Sequence, residues 1–332
     1  MLEWMNASVA SGATLAGFGY VALCGLMAHK FTSQPERVPV SLPDDLPADI
    51  REVELHSRVD RLRISGWYLP AENARGAVVV AHGIGMNKGF AFGKEEWPLL
   101  RSLLQSGFSI LAIDLRGHGQ SEGARLSYGC HESRDVLGAV DWLLDRGYAA
   151  GRIGVLGASM GAAASITAAA QERAIAVVVA DSAFADFGAM LKRNFLRQAP
   201  MKVGRAFLPG TMMVGKLLLG TYMHRFSPAS HARALKDRPV MHIHAKGDRM
   251  VPHTQAAWLA NESGGQLWLT EGGRHLTSCA DQPQTYRERV CEFFVRHLGE
   301  TQGLSHHRPA AEVLRATNGA DDLKEHGMLV AA

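Results

Sequence analysis

Ser159 is the residue whose surroundings point most clearly to chemistry. It lies at the centre of a Gly-x-Ser-x-Gly frame, Gly157-Ala-Ser-Met-Gly161. The apolar run at residues 152–157 predicts a buried strand, and the small residues that follow predict a tightly packed helix. A serine at such a junction is typical of a nucleophile elbow, a strained turn that exposes the hydroxyl at the N-terminus of a helix. We therefore expect Ser159 to attack an electrophilic carbon.

A second match to the same frame surrounds Ser121, but its context differs. The tripeptide Arg116-Gly-His118 separates this second frame, Gly119-Gln-Ser-Glu-Gly123, from the preceding strand. The charged Glu122 then follows where a packed helix would need a small residue. We therefore interpret Ser159 as the nucleophile and Ser121 as a structural residue.

The candidate base and acid follow Ser159 along the chain. A serine hydroxyl needs a base to accept its proton, and the base needs an acid to orient it. Behind an elbow serine, the acid and the histidine come in that order, each on a loop after a strand. Asp248 follows the apolar run at residues 240–245, and His275 follows the run at residues 266–270. We predict Ser159, Asp248 and His275 as the catalytic set.

Other residues compete for these roles. Asp181 ends the strand after the elbow helix and could orient a base from there, although a structural hydrogen bond is the other interpretation. His244 lies inside a strand and His253 begins a helix, so neither is placed to act as the base. Turn aspartates and loop histidines are also common without catalytic roles. Chain order and loop position therefore carry the prediction for Asp248 and His275.

Attack on a carbonyl creates an oxyanion, which needs two backbone N–H donors. Met160, the residue after the nucleophile, is expected to supply one of them. The other should come from residues 82–87, His-Gly-Ile-Gly-Met-Asn, which follow the first buried strand. Ile84 is our first choice of donor and Gly85 the second. We expect His82 to form a structural hydrogen bond.

The elements that must position these residues alternate along the chain. Two edge strands are predicted at residues 52–60 and 62–70. Short apolar strands then follow at residues 77–81, 109–114, 152–157, 175–180, 240–245 and 266–270. Helices are predicted near residues 95–105, 130–145, 159–170, 252–261 and 286–297. Apolar strands covered by crossover helices indicate a mostly parallel sheet buried on both faces, with the site at the carboxyl ends of the strands.

One interval, residues 186–237, interrupts this alternation. Between Asp186 and Asp237 the chain has no acidic side chain, and its apolar residues recur at roughly helical spacing. It could be a lid whose apolar side chains form an acyl pocket and whose basic residues meet an anionic lipid or an acidic substrate. The other interpretation is an ordinary helical insertion with a small core of its own.

The remaining boundaries follow from composition. The proline-containing stretch at residues 35–51 predicts a linker, residues 52–299 the main domain, and the polar residues 300–332 a flexible tail. Residues 5–28 carry no charge and are long enough to span a bilayer, so we predict a membrane helix within residues 1–34. A core or surface helix is the alternative. Lys30 and Arg37 follow this segment, which by the positive-inside rule would place the main domain in the cytoplasm.

Composition excludes several function classes. The net charge of +3 and the lack of a basic stripe interleaved with aromatic residues argue against a nucleic-acid partner. The cysteines, Cys24, Cys130, Cys279 and Cys291, have no paired spacing, so neither a zinc site nor a disulfide framework is expected. We expect no metal or organic cofactor, and nothing in the sequence indicates an oligomeric state.

Taken together, the motifs resemble the α/β-hydrolase superfamily, and within it the serine aminopeptidase-like and monoacylglycerol-lipase-like serine hydrolases. The matching motifs span roughly residues 52–298 and are His82-Gly83, Asp114-Leu-Arg-Gly-His-Gly-Gln-Ser121, Gly157-Ala-Ser-Met-Gly161, Asp181-Ser-Ala-Phe184, Gly247-Asp248 with Val251-Pro252, and His275. The resemblance implies an α/β-hydrolase fold with a mostly parallel central sheet and helices on both faces, whereas the helical lid insertion is predicted from residues 186–237 themselves. Relatives that open epoxides or remove halides carry an aspartate at the elbow, and Ser159 argues against those reactions.

The function that these residues predict is a serine hydrolase acting on a small-molecule carboxylic ester through an acyl-enzyme intermediate. A lipid-like ester is one substrate class, and membrane association through residues 5–28 would suit it. A peptidase or amidase with the same three residues is the first alternative. A catalytically inactive, membrane-tethered binding protein is the second, and the complete catalytic set argues against it.

Overall fold

A computed structural model describes residues 2–34, 36–38, 49–198 and 201–298 of the chain. The predicted tail and most of the predicted linker lie outside the described residues. The strands are β1 Arg51–His56, β2 Arg63–Leu69, β3 Gly76–Ala81, β4 Phe108–Ile113, β5 Ile153–Ala158, β6 Ile175–Asp181, β7 Val240–Ala245 and β8 Gln266–Thr270. The α-helices are α1 Leu2–Thr32, α2 Glu96–Gln105, α3 Glu132–Leu144, α4 Met160–Gln171, α5 Phe187–Gln198, α6 Met201–Leu219, α7 Pro228–Ala232, α8 His253–Ser263, α9 Ser278–Asp281 and α10 Pro283–Leu298.

The strands form one sheet in the order β1-β2-β4-β3-β5-β6-β7-β8. β2 pairs antiparallel with both β1 and β4, and every other pairing is parallel. All residues of β3 to β7 are buried, as expected for parallel strands covered on both faces. Helices α3, α4 and α8 bury apolar residues against one face, and α2 and α10 against the other. The predicted fold class is confirmed.

The first predicted strand is shorter than expected, because it ends at His56 rather than at residue 60. Ser57 and Asp60 instead form a turn in which the serine hydroxyl donates to the carboxylate at 2.7 Å. Both side chains also accept hydrogen bonds from Arg116, which lies far along the chain. These polar contacts hold residues 57–60 in a turn, so the strand ends at His56.

The membrane helix predicted within residues 1–34 is not supported by the structure of helix α1. The helix forms, but no helix among the described residues is both long enough and apolar enough to cross a membrane. Because α1 contains many glycines, alanines and serines, it is only moderately apolar. The described part of the helix packs against α6 of the insertion: the rings of Tyr20 and Phe207 stack at 5.1 Å, and the Tyr20 hydroxyl donates to Ala206 O at 2.8 Å.

The insertion at residues 186–237 is helical throughout most of its described part, comprising α5, α6, a 3₁₀ turn at Met223–Arg225 and α7. Its inner apolar residues, including Phe187 and Leu191, form a cluster with Ala163 of α4 and with Val251. Ala163 lies one helical turn beyond Ser159, so this cluster connects the insertion to the carboxyl edge of the sheet.

Candidate active site

Ser159 lies between β5 and α4 with a φ of +51° and a ψ of −109°, a strained backbone conformation for a residue other than glycine. Its N–H donates to Asp181 O at 2.8 Å. A Cβ atom at Gly161 would lie 2.2 Å from Ala81 O, and one at Gly157 would lie 2.5 Å from Gly161 O. Only glycine fits at these two positions, so the turn stays sharp and presents the serine hydroxyl at the N-terminus of α4.

The structure brings the three predicted side chains together at the carboxyl ends of β5, β7 and β8. His275 Nε2 lies 2.8 Å from Ser159 Oγ, and His275 Nδ1 lies 2.6 Å from Asp248 Oδ2. Because a carboxylate can only accept, Nδ1 carries the proton of the neutral imidazole and Nε2 has the lone pair that faces the serine hydroxyl. This arrangement can take a proton from Ser159.

Asp248 is held so that its carboxylate stays ionised. Its Oδ1 accepts hydrogen bonds from the backbone N–H groups of Met250 and Val251 at 2.8 and 2.9 Å. Burial alone would raise the pKa of Asp248, but hydrogen bonds from His244 and His275 outweigh burial and hold the pKa well below its usual range. The negative charge can therefore stabilise an imidazolium at His275.

The competing residues have other partners. Asp181 accepts hydrogen bonds from Ser182 Oγ at 2.8 Å and from the Tyr286 hydroxyl at 2.9 Å, and burial raises its pKa. These contacts match the structural role considered for Asp181. His253 begins α8, where its Nδ1 lies 3.1 Å from Lys246 O.

The predicted oxyanion loop, residues 82–87, passes directly over the elbow: a Cβ atom at Gly83 would lie 3.4 Å from Ser159 Cβ. Gly85 N–H donates to His118 Nε2 at 3.2 Å, so it is not free to bind a substrate. No described residue accepts a hydrogen bond from Ile84 N–H. Met160 N–H is the first of α4 and has no partner within the helix. Ile84 and Met160 therefore offer two unengaged donors.

Two neutral histidines support this loop. His118 Nδ1 lies 3.0 Å from Arg116 O, which can only accept, so its Nε2 is the acceptor for Gly85. His82 contacts Gly83 O through Nδ1 at 2.7 Å and accepts from Leu115 N–H through Nε2. Burial lowers the pKa of both rings, that of His82 to about 3. The expectation for His82 matches this geometry, whereas His118 was not singled out from the sequence.

Lys88 anchors the far end of the loop and was also missed. Its side chain is fully buried, with Nζ 3.0 Å from Asp114 Oδ2 and 2.7 Å from Gln120 Oε1. Its backbone N–H donates to Asp114 Oδ1 at 2.7 Å. Ser121 Oγ donates to Asp114 O at 2.6 Å, which fits the structural role expected of Ser121. A single lysine in a loop gives no sequence signal of such a contact.

A cavity of about 550 Å³ lies within the insertion, between α5, α6 and the 3₁₀ turn that follows them. Its walls are mostly apolar and include Leu191, Leu208, Met212 and Tyr222, with Lys192 among its lining residues. None of Ser159, Asp248 and His275 lines it. Among the described residues, no group of His, Cys, Asp or Glu side chains could hold a metal ion.

An elbow serine, an acid and a histidine at the carboxyl edge of a mostly parallel sheet define the α/β-hydrolase class. A model of the alpha/beta hydrolase family matches residues 78–289, and the chain belongs to this family of hydrolases. Monoglyceride lipase of Homo sapiens is 33% identical over 142 residues, which are 42% of this chain and 43% of that protein. An uncharacterised protein of Bacillus subtilis is 29% identical over 234 residues, which are 69% of this chain and 74% of that protein.

Solved structures agree with this assignment. An esterase of Pyrococcus furiosus superposes with a TM-score of 0.64 at 25% identity, covering 81% of this chain and 99% of that one. An acylaminoacyl peptidase of Pyrococcus horikoshii superposes with a TM-score of 0.56 at 19% identity. The superposition covers 80% of this chain and 44% of the peptidase chain. The second likeness shows the fold alone.

Proposed function

We propose that this hydrolase cleaves carboxylic esters through an acyl-enzyme intermediate, with Ser159, His275 and Asp248 as its catalytic triad. The observation that supports this most directly is the continuous chain from Ser159 Oγ to His275 at 2.8 Å and on to Asp248 at 2.6 Å. The Asp248 carboxylate, whose pKa is held well below its usual range, can stabilise a positive charge on His275. The esterase activity of the Pyrococcus furiosus neighbour agrees with the proposal.

The reaction has two halves. Ser159 Oγ attacks the ester carbonyl carbon while its proton passes to His275 Nε2, and the carboxylate of Asp248 stabilises the imidazolium. The tetrahedral intermediate collapses, and His275 returns the proton to the departing alcohol. Water then attacks the acyl-serine with His275 again acting as the base, and the carboxylic acid leaves while Ser159 regains its proton.

The backbone donors of Met160 and Ile84 stabilise the oxyanion in both halves. Met160 N–H benefits from the partial positive charge at the N-terminus of α4. Losing one donor of this kind typically slows an enzyme by about 10²–10³-fold. Because Gly85 N–H is committed to His118, we assign the second donor to Ile84 rather than to Gly85.

The cavity in the insertion favours a lipid-like acyl group, and we propose that residues 186–237 act as a lid that shapes the acyl pocket. Its volume lies within the range of pockets that bury small molecules, and its methionines can adapt to a flexible chain. We expect Met212→Trp, which fills the cavity, to slow hydrolysis of long-chain p-nitrophenyl esters more than that of the acetate. An equal effect at every chain length would contradict the lid proposal.

The experiment that tests the proposed triad compares Ser159→Ala with Ser165→Ala. Ser165 is fully buried in the same helix, and its hydroxyl has no hydrogen-bond partner among the described residues, so it is a matched control. We expect Ser159→Ala to abolish turnover of p-nitrophenyl acetate and butyrate while Ser165→Ala retains it. Unchanged turnover in folded Ser159→Ala would refute the triad.

A peptidase or amidase remains the alternative enzyme, since the same residues can cleave an amide through the same acyl-serine. Matched ester and anilide substrates with one acyl group would separate the two. We expect the ester to be cleaved much faster, and faster cleavage of peptide or anilide substrates would favour the alternative. Absence of both turnover and fluorophosphonate labelling in the wild type would instead favour a binding protein.

A further inference from the structure

His244 is a buried histidine that the proposed reaction does not use. It lies on β7, four residues before Asp248, and its side chain is fully buried. Its Nε2 lies 2.8 Å from Val251 O and 3.2 Å from Asp248 Oδ2. The sequence excludes it as the base because it lies within a strand. The same placement puts it beside the triad acid, on a rigid element of the sheet.

The contacts of the ring determine its tautomer. A backbone carbonyl oxygen can only accept, so the short contact to Val251 O requires a proton on Nε2 of His244. The same N–H also faces Asp248 Oδ2, at the longer distance expected for the weaker branch of a shared hydrogen bond. His244 Nδ1 is buried and has no partner among the described residues. A ring that carries a proton on Nε2 satisfies both acceptors.

His244 completes the set of donors around the Asp248 carboxylate. Oδ1 accepts from the backbone N–H groups of Met250 and Val251, and Oδ2 accepts from His275. Among the donors described for Oδ2, the loss of His244 would leave His275, whose own proton and charge change during the reaction. Val251 O fixes the His244 ring, so the ring can hold Oδ2 in line with His275 Nδ1.

We propose that His244 is a positioning residue that orients the carboxylate of Asp248 toward His275, which extends the hydrogen-bond chain behind the triad by one member. This inference rests on the proposed triad. A displacement of about 1 Å in a catalytic group can cost roughly 10²-fold in rate. Loss of the His244 donor should therefore lower kcat and leave substrate binding, and so KM, largely unchanged.

Two variants of nearly equal shape test the donor itself. His244→Gln carries an N–H close to the position of the histidine Nε2, whereas His244→Met has the same length and no donor. We expect His244→Met to lower kcat for p-nitrophenyl butyrate by about 10- to 100-fold at a nearly unchanged KM, with His244→Gln recovering most of the loss.

His242→Met is the control for a purely structural effect. His242 lies two residues earlier on β7, is also buried, and its Nε2 lies 3.0 Å from Ser263 Oγ rather than near Asp248. We expect it to lower the melting temperature and to leave kcat close to the wild-type value. If His244→Met fails to fold, His244→Asn replaces it, because the shorter amide cannot reach Asp248 and should behave as a variant without the donor.

The outcomes separate this inference from the proposed function. Equal kcat in wild type, His244→Met and His244→Asn, with Ser159→Ala inactive, would overturn the role of His244 and leave the triad standing. A loss of kcat in His244→Gln as large as in His244→Met would overturn it as well. Turnover in Ser159→Ala would instead refute the triad on which the inference rests.

Discussion

Replacing Lys88 with Met removes the cation from the buried ion pair that anchors the oxyanion loop. Lys88 Nζ lies 3.0 Å from Asp114 Oδ2 and 5.1 Å from the ring centre of Trp67, and both charged side chains are completely buried. Removing one partner of a buried pair costs about 3–5 kcal/mol, because the remaining charge is left uncompensated. Asp114 keeps two backbone donors, Lys88 N–H and Gln120 N–H, so we expect a loss near the lower end, about 3 kcal/mol.

The loss should appear in both stability and rate. Urea unfolding measures the free energy, and kcat for p-nitrophenyl butyrate reports the displaced Ile84 donor, which we expect to lower kcat by roughly tenfold or more. Adding Asp114→Asn to Lys88→Met should recover part of the stability, because it removes the uncompensated negative charge of Asp114. Arg173→Met is the control, since it breaks an exposed pair with Asp237 that is worth less than about 1 kcal/mol.

Two results would refute this reasoning. The first is a stability loss in Lys88→Met no larger than that in Arg173→Met. The second is a further loss of stability, rather than a recovery, when Asp114→Asn is added to Lys88→Met. Either result would mean that the buried lysine does not hold the loop through its charge.

Three further predictions concern the elbow, a buried acid and the N-terminal helix. Gly161→Ala should destabilise the protein by about 1–3 kcal/mol or more and lower kcat, because its Cβ would lie 2.2 Å from Ala81 O. The control Gly215→Ala has open space around its Cβ and should change neither property. Urea unfolding measures the stability of each variant, and ester turnover measures its kcat. Burial raises the pKa of Glu96 to about 8, so the folded state binds its proton more tightly than the unfolded state, and stability should fall as pH rises from about 4.5 to 8. Glu96→Gln should remove this decline in unfolding free energy, and an unchanged pH dependence would contradict the buried acid. Gly210→Leu would place its Cβ 2.6 Å from Cys24 Sγ and should make α1 more sensitive to limited proteolysis; unaltered cleavage would contradict the packing of α1 on α6.

The fold was largely predictable because its signals are local. Short apolar strands alternate with helices. Gly157 and Gly161 indicate the elbow, because a Cβ atom at either position would collide with the neighbouring backbone. The end of β1 was not predictable, since a long-range contact of Arg116 with Ser57 and Asp60 sets it. In the same way, the uncharged stretch at residues 5–28 predicted a helix but not that α6, far along the chain, is its partner.

In the site, too, residues with local sequence signals could be predicted and residues defined by long-range contacts could not. Ser159, Asp248 and His275 could be predicted because their order and their loops after strands are features of the sequence, and the structure brings them together. Lys88 could not, because a lysine in a loop has no particular role until the fold brings Asp114 beside it. His118 lies within a recognised motif, but its contact with Gly85 depends on the fold. These supporting contacts depend on three-dimensional proximity alone.

Mapping the residue that a fluorophosphonate probe modifies tests the central claim most directly. The probe forms a stable bond with a serine only where a base activates the hydroxyl, and peptide mass analysis of the labelled full-length chain identifies that serine. We predict one adduct, on the peptide that contains Ser159, present in Ser165→Ala and absent in Ser159→Ala. An adduct on Ser121 or another serine, or one that persists in Ser159→Ala, would contradict the assignment of Ser159 as the nucleophile.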